Sequence, residues 1–322
     1  MSSVREAEQG AKASFRSDAR FRVLSLDGGG AKGFYTLGVL REIEALLGGD
    51  LAGRFDLIYG TSTGAIIATL IALGRTVDEI LDIYKLYVPA IMSHNTRRSR
   101  SAALRHAAVE IFGDKTFRDV AMPLGIVTAK WLSEKPMIFK STVKQSHGMA
   151  ATFTPGFGVK IAAAVQASCS AFPFFDRTVV VTDTDDHIEL MDGGYCANNP
   201  TLYAIADATV ALEKRRPDIR VVNVGVGVYP RRRRLLASLV KQVPFNAIEL
   251  LQKTLEINTQ SMDQLRAILF HDVPTIRISD TFDHPELATD LLENDLRKLN
   301  LLRQRGRDSY SAREHELKSF LL

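Results

Sequence analysis

Apolar runs alternate with amphipathic runs along the first part of the chain. The run FRVLSL (21–26) shows no polar alternation, which predicts a strand buried on both faces, as in a parallel sheet. The segment FYTLGVLREIEALLG after it places apolar residues at helical spacing and ends at two glycines. FDLIYG (55–60) and AIIATLIALG (65–74) repeat this order of strand and helix. The pattern predicts an α/β fold with a mostly parallel central sheet.

Further strands and helices are predicted as far as residue 230. Thr76 and Glu79 form a capping-box pattern at the start of a third helix, and the basic, Ser-rich stretch 93–105 after that helix predicts a mobile loop. Later segments predict two more strands, a small-residue helix that stops before Pro173, and a hairpin that carries MDGG at a turn. A last buried strand is predicted within IRVVNVGVGVYP (219–230), and mostly helical patterns follow it.

These elements divide the chain into four segments. Residues 1–20 are predicted to form a flexible polar arm, without the apolar stretch of a secretory signal. Residues 21–205 form the α/β core, residues 206–234 hold its last strand and a basic run, and residues 235–322 form a helical extension that acts as a lid or a regulatory element. The most apolar window, LIYGTSTGAIIATLIALG, is interrupted by Gly, Ser and Thr, so it predicts a strand, a turn and a helix rather than a membrane span. We therefore expect a cytoplasmic protein.

Composition adds little to this picture. The chain has 322 residues, of which 46% are hydrophobic and 24% charged, and these values are ordinary for a globular protein with a large core. A net charge of +4 weakly favours an anionic partner such as a membrane surface or a nucleotide, and the absence of any partner is equally consistent with it. The two cysteines, Cys169 and Cys196, suggest no disulfide framework and fit a reducing cytosol. Cysteines and histidines do not cluster at zinc-ligand spacing, so we expect no metal.

Three consecutive glycines stand between the first strand and the first helix, in the motif DGGGAKG. Glycine has a large ordering cost, so such a run indicates a need for bare backbone. Gly28, Gly30 and Gly33 match the dinucleotide pattern G-x-G-x-x-G. That pattern also requires an acid at the end of the second strand, and neither Asp50 nor Asp56 is well placed for it. An oxyanion hole made of glycine amides is the competing interpretation.

A second glycine-rich motif, GTSTG (60–64), lies between the second strand and the second helix. It matches the nucleophile-elbow pattern G-x-S-x-G in the context that the pattern requires. Gly60 and Gly64 are small neighbours that let Ser62 project from a sharp turn, and the helix that follows directs its positive end towards developing negative charge. Ser62 is therefore a candidate nucleophile, which needs a base to take its proton.

Histidine and aspartate both offer a candidate base. His271 and then His284 are the best-placed histidines for a triad, but both belong to the helical tail, outside the predicted sheet. Asp192 in MDGG follows an apolar run, and Gly193 and Gly194 after it permit a tight turn and close approach of another backbone. Asp-Gly is also an ordinary hairpin-turn signal. Asp192 is the better candidate.

The motifs DGGGAKG, GTSTG and DGG, in this order, resemble those of the patatin-like phospholipase family. The resemblance covers the α/β core and implies a three-layer α/β/α fold. It also implies a catalytic dyad without histidine, in which Ser62 is the nucleophile and Asp192 its base. The oxyanion hole would then be formed by the backbone amides of Gly28, Gly29 and Gly30.

Further positions support these motifs. They are Asp27, Lys32, Gly33, Gly60, Gly64, Gly193 and Gly194. Family members often have arginine where this chain has Lys32. Lysine keeps the charge but lacks the planar guanidinium fork, so we assign Lys32 no catalytic role.

The whole chain resembles the bacterial phospholipase effectors of cyclic-oligonucleotide antiphage defence. This resemblance implies that a cyclic dinucleotide switches the enzyme on, that the enzyme degrades membrane phospholipids from the inner face of the membrane, and that it needs no other cofactor and no DNA or RNA. The alternatives are a constitutive acyl hydrolase, a nucleotide-binding protein with an inactive hydrolase site, and a dinucleotide oxidoreductase. Oligomeric state stays open.

The nucleotide site shows no sequence motif. Two basic stretches, TRRSR (96–100) and RRRR (231–234), are candidates for binding nucleotide phosphates or an anionic bilayer, and solvated surface charge explains each of them equally well. Three apolar residues are candidates for a lid over the site: Leu235, Leu236 and Leu239.

Overall fold

The computed structural model describes residues 20–230 and 244–322. Within them, eight strands form one sheet: β1 (Phe21–Leu26), β2 (Leu57–Thr61), β3 (Leu124–Lys130), β4 (Pro136–Lys140), β5 (Thr178–Val181), β6 (His187–Asp192), β7 (Ile219–Val224) and β8 (Thr275–Ile278). The α-helices are α1 (Gly33–Leu47), α2 (Thr63–Ala72), α3 (Val77–Met92), α4 (Arg97–Phe112), α5 (Ile161–Ser168), α6 (Gly194–Ala197), α7 (Thr201–Ala206), α8 (Pro244–Leu269), α9 (Leu296–Ser311) and α10 (Glu314–Leu321).

The sheet has the order β5-β6-β3-β2-β1-β7-β8, and β4 pairs with β3. The central strands β3, β2, β1, β7 and β8 are parallel, whereas β4 and β6 run antiparallel to β3. Alternate residues of β1 enter two separate apolar clusters, since Leu24 and Leu26 belong to one and Val23 to the other. Helices therefore cover both faces, which confirms the predicted three-layer α/β/α fold.

Strands β2 and β6 lie end to end along one edge of β3. Thr61 at the end of β2 pairs with Val127, and Asp192 at the end of β6 pairs with the next residue, Thr128. Both β3 residues also pair with β4, which must occupy the opposite edge. Because β2 is parallel to β3 and β6 is antiparallel, their carboxyl ends meet. This register brings the residue after Thr61 close to Asp192.

The stretch predicted as a mobile loop, 93–105, is mostly helical. Helix α4 starts at Arg97, and the Thr96 hydroxyl caps it by accepting a hydrogen bond from the Ser99 amide over 3.1 Å. Arg97 pairs with Asp176 at 2.6 Å. The prediction was wrong because the buried face of α4 consists mostly of small side chains, so its apolar periodicity is weak.

The segment 219–230 does not hold the last strand, because β8 extends the sheet beyond β7. Helix α9 also packs directly on α1. A Cβ on Gly38 would lie 2.1 Å from the Arg303 carbonyl oxygen, and a Cβ on Gly306 would lie 2.1 Å from that of Tyr35. The described C-terminal residues are mostly helical, as predicted, and α9 packs on the core through α1.

Several predictions fall on residues outside the described ranges. These are the polar arm as far as residue 19, the basic run 231–234, and the lid candidates Leu235, Leu236 and Leu239. Across the described residues, none of the helices combines the length and the apolar character needed to cross a bilayer.

Candidate active site

Ser62 occupies a strained turn between β2 and α2. Its φ of 53° and ψ of −122° are unusual for a residue with a side chain. A Cβ on Gly60 would lie 2.3 Å from the Gly64 carbonyl oxygen, and a Cβ on Gly64 would lie 2.3 Å from that of Leu26. Both flanking positions therefore require glycine. This is the geometry that the pattern G-x-S-x-G predicts for a nucleophile elbow.

Helix α5 holds this elbow in place. The Ser62 amide donates to the Ser168 hydroxyl over 2.9 Å, and that hydroxyl donates to the Val127 carbonyl over 2.7 Å. The next residue, Cys169, is buried beside the serine, and burial together with the nearby Asp192 raises the pKa of its thiol. Sequence reasoning missed Ser168, because its role depends on packing of α5 against β3.

Asp192 ends β6 at the point where that strand meets β2. Its carboxylate is buried and accepts a hydrogen bond from the Gly194 amide over 2.7 Å. A Cβ on Gly193 would lie 2.2 Å from the Val127 carbonyl oxygen, so the turn needs glycine there. Burial raises the pKa of Asp192 to about 7, while the Gly194 amide and a hydrogen bond from the Ser62 side chain oppose the rise.

The glycine run passes directly over Ser62. A Cβ on Gly28 would lie 3.3 Å from the Ser62 Cβ. The Gly28 amide donates to the Asn198 carbonyl over 2.9 Å, whereas the amides of Gly29 and Gly30 have no acceptor among the residues that the structure describes. Gly30 adopts a φ of 58°, which favours glycine. Two amides of the run are thus free to bind an anion.

Asn198 and Asp27 fix the two sides of this run. The Asn198 side chain donates to the Gly28 carbonyl over 3.2 Å and to the Thr259 hydroxyl over 2.7 Å. The buried Asp27 carboxylate accepts hydrogen bonds from Asn223 and from Arg277, each over 2.8 Å. The sequence shows Asn198 only as a polar residue that follows the candidate base Asp192. It does not show the contact of Asn198 with the glycine run.

Ser62 and Asp192 line one apolar cavity of about 60 Å³. Its walls come from α2, α3, α4, α8, the segment after α5 and the segment before α9. The apolar side chains among them are Ile66, Val88, Ile91, Met92, Leu104, Cys169, Ala171, Phe174, Phe175, Leu255, Leu291 and Leu292. The arrangement combines a serine, a carboxylate, free amide donors and an apolar chamber, which is what cleavage of a fatty acyl ester requires.

The family model described as patatin-like phospholipase matches residues 24–205. The chain belongs to the patatin-like phospholipase family. It is 64% identical over 309 residues, which are 96% of each chain, to a cUMP-AMP-activated phospholipase of Escherichia coli. It is 29% identical over 234 residues, 63% of each chain, to a cGAMP-activated phospholipase of Vibrio cholerae. These matches make this patatin-like chain a lipid ester hydrolase.

A solved structure supports the same fold. The crystal structure of VipD from Legionella pneumophila aligns with a TM-score of 0.50 at 13% identity, covering 94% of this chain and 67% of that one. Identity this low shows the fold alone.

The histidines lie away from this patatin-like site. All seven fall within the described ranges, and none of them lines the cavity of Ser62 and Asp192. His271 is exposed beyond the end of α8, and His284 is exposed beside Glu286 at 3.8 Å. Lys32 is half-buried and faces a different cavity.

Proposed function

We propose that this chain hydrolyses acyl esters of membrane phospholipids through a dyad of Ser62 and Asp192, under the control of a cyclic dinucleotide. The observation that supports the dyad is the meeting of β2 and β6 at adjacent residues of β3, which places a serine in an elbow conformation beside a buried carboxylate. No imidazole shares their cavity in the described part of the chain.

Asp192 acts as the base in the first step. Its ionised carboxylate takes the proton of the Ser62 hydroxyl as the serine oxygen attacks the ester carbonyl carbon. The tetrahedral intermediate collapses, the ester C–O bond breaks, and the departing alcohol takes the proton from Asp192. The fatty acyl group then remains on Ser62 as an ester.

Water completes the cycle. Asp192 takes a proton from a water molecule that attacks the acyl-enzyme carbonyl, and the released Ser62 oxygen regains a proton from the carboxyl group. The products are a free fatty acid and a lysophospholipid. One carboxylate thus serves both half-reactions.

Gly29 and Gly30 stabilise the oxyanion in both steps. Their amides have no acceptor in the described part of the chain, whereas the Gly28 amide donates to the Asn198 carbonyl. Donors of this kind typically contribute about a hundredfold to a thousandfold each to turnover. Gly28 instead positions the run.

A cyclic dinucleotide is the proposed activator. The relative that matches 96% of this chain is named a cUMP-AMP-activated phospholipase. The relative that matches 63% of it is named a cGAMP-activated phospholipase. The catalytic cavity also has only about 60 Å³, whereas ligand sites usually have about 300 Å³ or more. A closed acyl site at rest suits an enzyme that attacks the membrane of its own cell only when a signal arrives, as in antiphage defence.

The bilayer is the proposed partner surface, reached from the cytoplasm. The substrate resides there, and the exposed Arg97 at the start of α4 pairs with Asp176, which follows the cavity residue Phe175. Exposed cationic residues near an anionic membrane contribute about 1 kcal/mol each to binding.

Fatty-acid release from phospholipid vesicles tests this function. The wild-type chain should release fatty acid only when cyclic UMP-AMP or another cyclic dinucleotide is added. Ser62→Ala and Asp192→Asn should lose at least about a thousandfold in turnover. Ser319→Ala, which removes an exposed serine hydroxyl on α10 outside the cavity, is the control and should keep turnover. A Ser62→Ala chain that still cleaves lipid would disprove the dyad, and activity unaffected by any nucleotide would remove the activator but not the hydrolase.

A further inference from the structure

A second cavity lies on the far side of the glycine run from Ser62. Its volume is about 330 Å³, within the range of small-molecule sites. The floor is formed by the glycine run and Lys32, and the walls come from the segment after β7, from α8 and β8, and from the segment before α9. Neither Ser62 nor Asp192 lines it.

Three cationic side chains of the described residues line this cavity, and of these Arg277 pairs with Asp27 and Lys253 with Glu249, which leaves Lys32. Its ammonium makes no hydrogen bond or ion pair within the described ranges. Burial lowers its pKa, and the nearby carboxylates of Glu256 and Asp290 act in the opposite direction. A half-buried lysine without a partner is suited to bind an anion, because a bound phosphate would replace its lost hydration.

Tyr229 contributes an aromatic side chain to the lining. Its hydroxyl is buried without a hydrogen-bond partner among the described residues, while its ring stacks on Phe282 with centroids 5.2 Å apart. The cavity also presents the carboxylates of Glu256 and Asp290. A donor for phosphate, an aromatic residue and carboxylate acceptors together match a ligand that carries phosphodiesters and bases with amino groups.

Most of the residues that line this cavity lie outside the segment that the family model matches. The family model covers residues 24–205, whereas α8, β8 and the segments around Tyr229 and Leu291 lie beyond it. Chemistry shared by patatin-like enzymes belongs to the matched segment. A cavity built largely from the remaining residues is therefore a feature added to the hydrolase core, as a regulatory site would be.

We infer that this cavity binds the cyclic dinucleotide, with a phosphodiester at Lys32, and that the wall it shares with the catalytic cavity carries the signal to Ser62. The inference rests on the proposed nucleotide activation and deepens it. The lipid head group, which also carries a phosphodiester, is the competing source of the same chemistry.

The shared wall consists of Gly29, Asn198, Leu255 and Leu291. The Leu291 carbonyl accepts a hydrogen bond from the Ala31 amide over 3.1 Å, so the segment before α9 is tied to the glycine run. Leu255 from α8 packs against Gly194, where a Cβ would lie 2.7 Å from its Cδ2 atom. Ligand binding that shifts this wall enlarges the small cavity of Ser62 and Asp192, so it favours the conformation in which that cavity is open.

Calorimetric titration of the full chain with cyclic UMP-AMP tests the site. Lys32→Met should raise the Kd about tenfold or more, which corresponds to about 1.4 kcal/mol. Lys32→Gln removes the charge but keeps a polar side chain at this half-buried position, so it should fold normally and still raise the Kd several-fold. Lys160→Met, which breaks an exposed ion pair with Asp114, is the matched control and should bind as the wild type does.

The outcomes separate the two proposals. Wild-type affinity in both Lys32→Met and Lys32→Gln would overturn the site while leaving nucleotide activation intact. No binding by the wild-type chain would overturn both. If the cavity held a lipid head group, Lys32→Met would keep its nucleotide affinity and would change the ratio of hydrolysis between phosphatidylethanolamine and phosphatidylglycerol vesicles, which also overturns the inference.

A pair of leucines on α8 tests the shared wall. Leu255 lines both cavities, whereas Leu251, one turn earlier and similarly buried, lines neither. Leu255→Ala should raise fatty-acid release without nucleotide several-fold over the wild type, and Leu251→Ala should not. Equal basal release by the two variants would contradict coupling through this wall.

Discussion

The Arg277 guanidinium donates to the Asp27 carboxylate over 2.8 Å and joins residues 250 positions apart in the chain. Asn223 of β7 lies between them, since it donates to Asp27 over 2.8 Å and accepts a hydrogen bond from Arg277. Asp27 immediately precedes the glycine run, and Arg277 belongs to β8. The position of the glycine run above Ser62 therefore depends on β8, which is the last strand in the sequence and lies at the edge of the sheet.

Arg277→Met should destabilise the protein by about 3–5 kcal/mol at neutral pH, because it leaves the buried Asp27 carboxylate without its counter-charge. Burial already raises the pKa of Asp27, with Arg277 opposing it. Loss of Arg277 raises the pKa of Asp27 further. Protonation of Asp27 at lower pH then removes the buried, uncompensated charge from the variant. Its deficit in unfolding free energy should shrink as the pH falls to about 5.

Chemical denaturation at both pH values measures this effect. Arg216→Met is the control, since Arg216 pairs with Asp272 at 3.3 Å on the surface. Exposed pairs contribute about 0–1 kcal/mol, so this variant should stay close to the wild type. Similar losses for the two variants would contradict a special role for the buried pair.

Asp192→Asn should make the protein more stable in neutral and alkaline solution. The folded-state pKa of Asp192, about 7, lies above the ordinary value of 3.8. The wild-type chain therefore loses stability as the pH rises between these values, because the unfolded chain releases the Asp192 proton at a lower pH than the folded chain does. Each tenfold change in acid dissociation corresponds to about 1.4 kcal/mol, which sets an upper bound on the order of 4 kcal/mol for the gain. An asparagine oxygen can still accept the Gly194 hydrogen bond.

Unfolding free energies measured across this pH range provide the check. The difference between Asp192→Asn and the wild type should be small near pH 4 and should grow towards neutral pH. Ser62→Ala retains the carboxyl and should follow the wild-type profile. A difference that does not depend on pH would show that Asp192 carries an ordinary pKa.

Gly38→Ala should test whether the C-terminal helices are part of the core. The added Cβ would lie 2.1 Å from the Arg303 backbone oxygen, so α1 and α9 would have to move apart. Overpacking of this kind typically costs about 1–3 kcal/mol. Gly53→Ala, where the new Cβ meets nothing within 4 Å, should have little effect on the melting temperature. Equal melting temperatures for both variants would contradict close packing of α9 on α1.

The sequence predicted those parts of the fold that depend on local pattern. The apolar run of β1 and the capping box of Thr76 and Glu79 have the predicted form, with the Glu79 amide donating to the Thr76 hydroxyl over 3.3 Å. Ser62 also lies in the conformation that its flanking glycines predict. These features need only neighbouring residues to specify them.

Long-range partners could not be read in this way. Strand β8 has only four residues and alternates in burial, so it exists through its pairing with β7 rather than through its own propensity. The contacts of Arg277 and Asn198 with the glycine run, and the cavity around Lys32, likewise arise from segments far apart in the chain. Arg277, Asn198 and Lys32 belong to no motif in the sequence that predicts these contacts.

The pH dependence of kcat/KM for fatty-acid release, measured with cyclic UMP-AMP present, tests most directly whether a lone carboxylate activates Ser62. The account predicts a rise in kcat/KM governed by one apparent pKa near 7, the value that burial gives Asp192, because only the ionised form can take the serine proton. It also predicts that this rise is absent from the residual activity of Asp192→Asn. A profile that is flat through neutral pH, or the same rise in Asp192→Asn, would contradict the account.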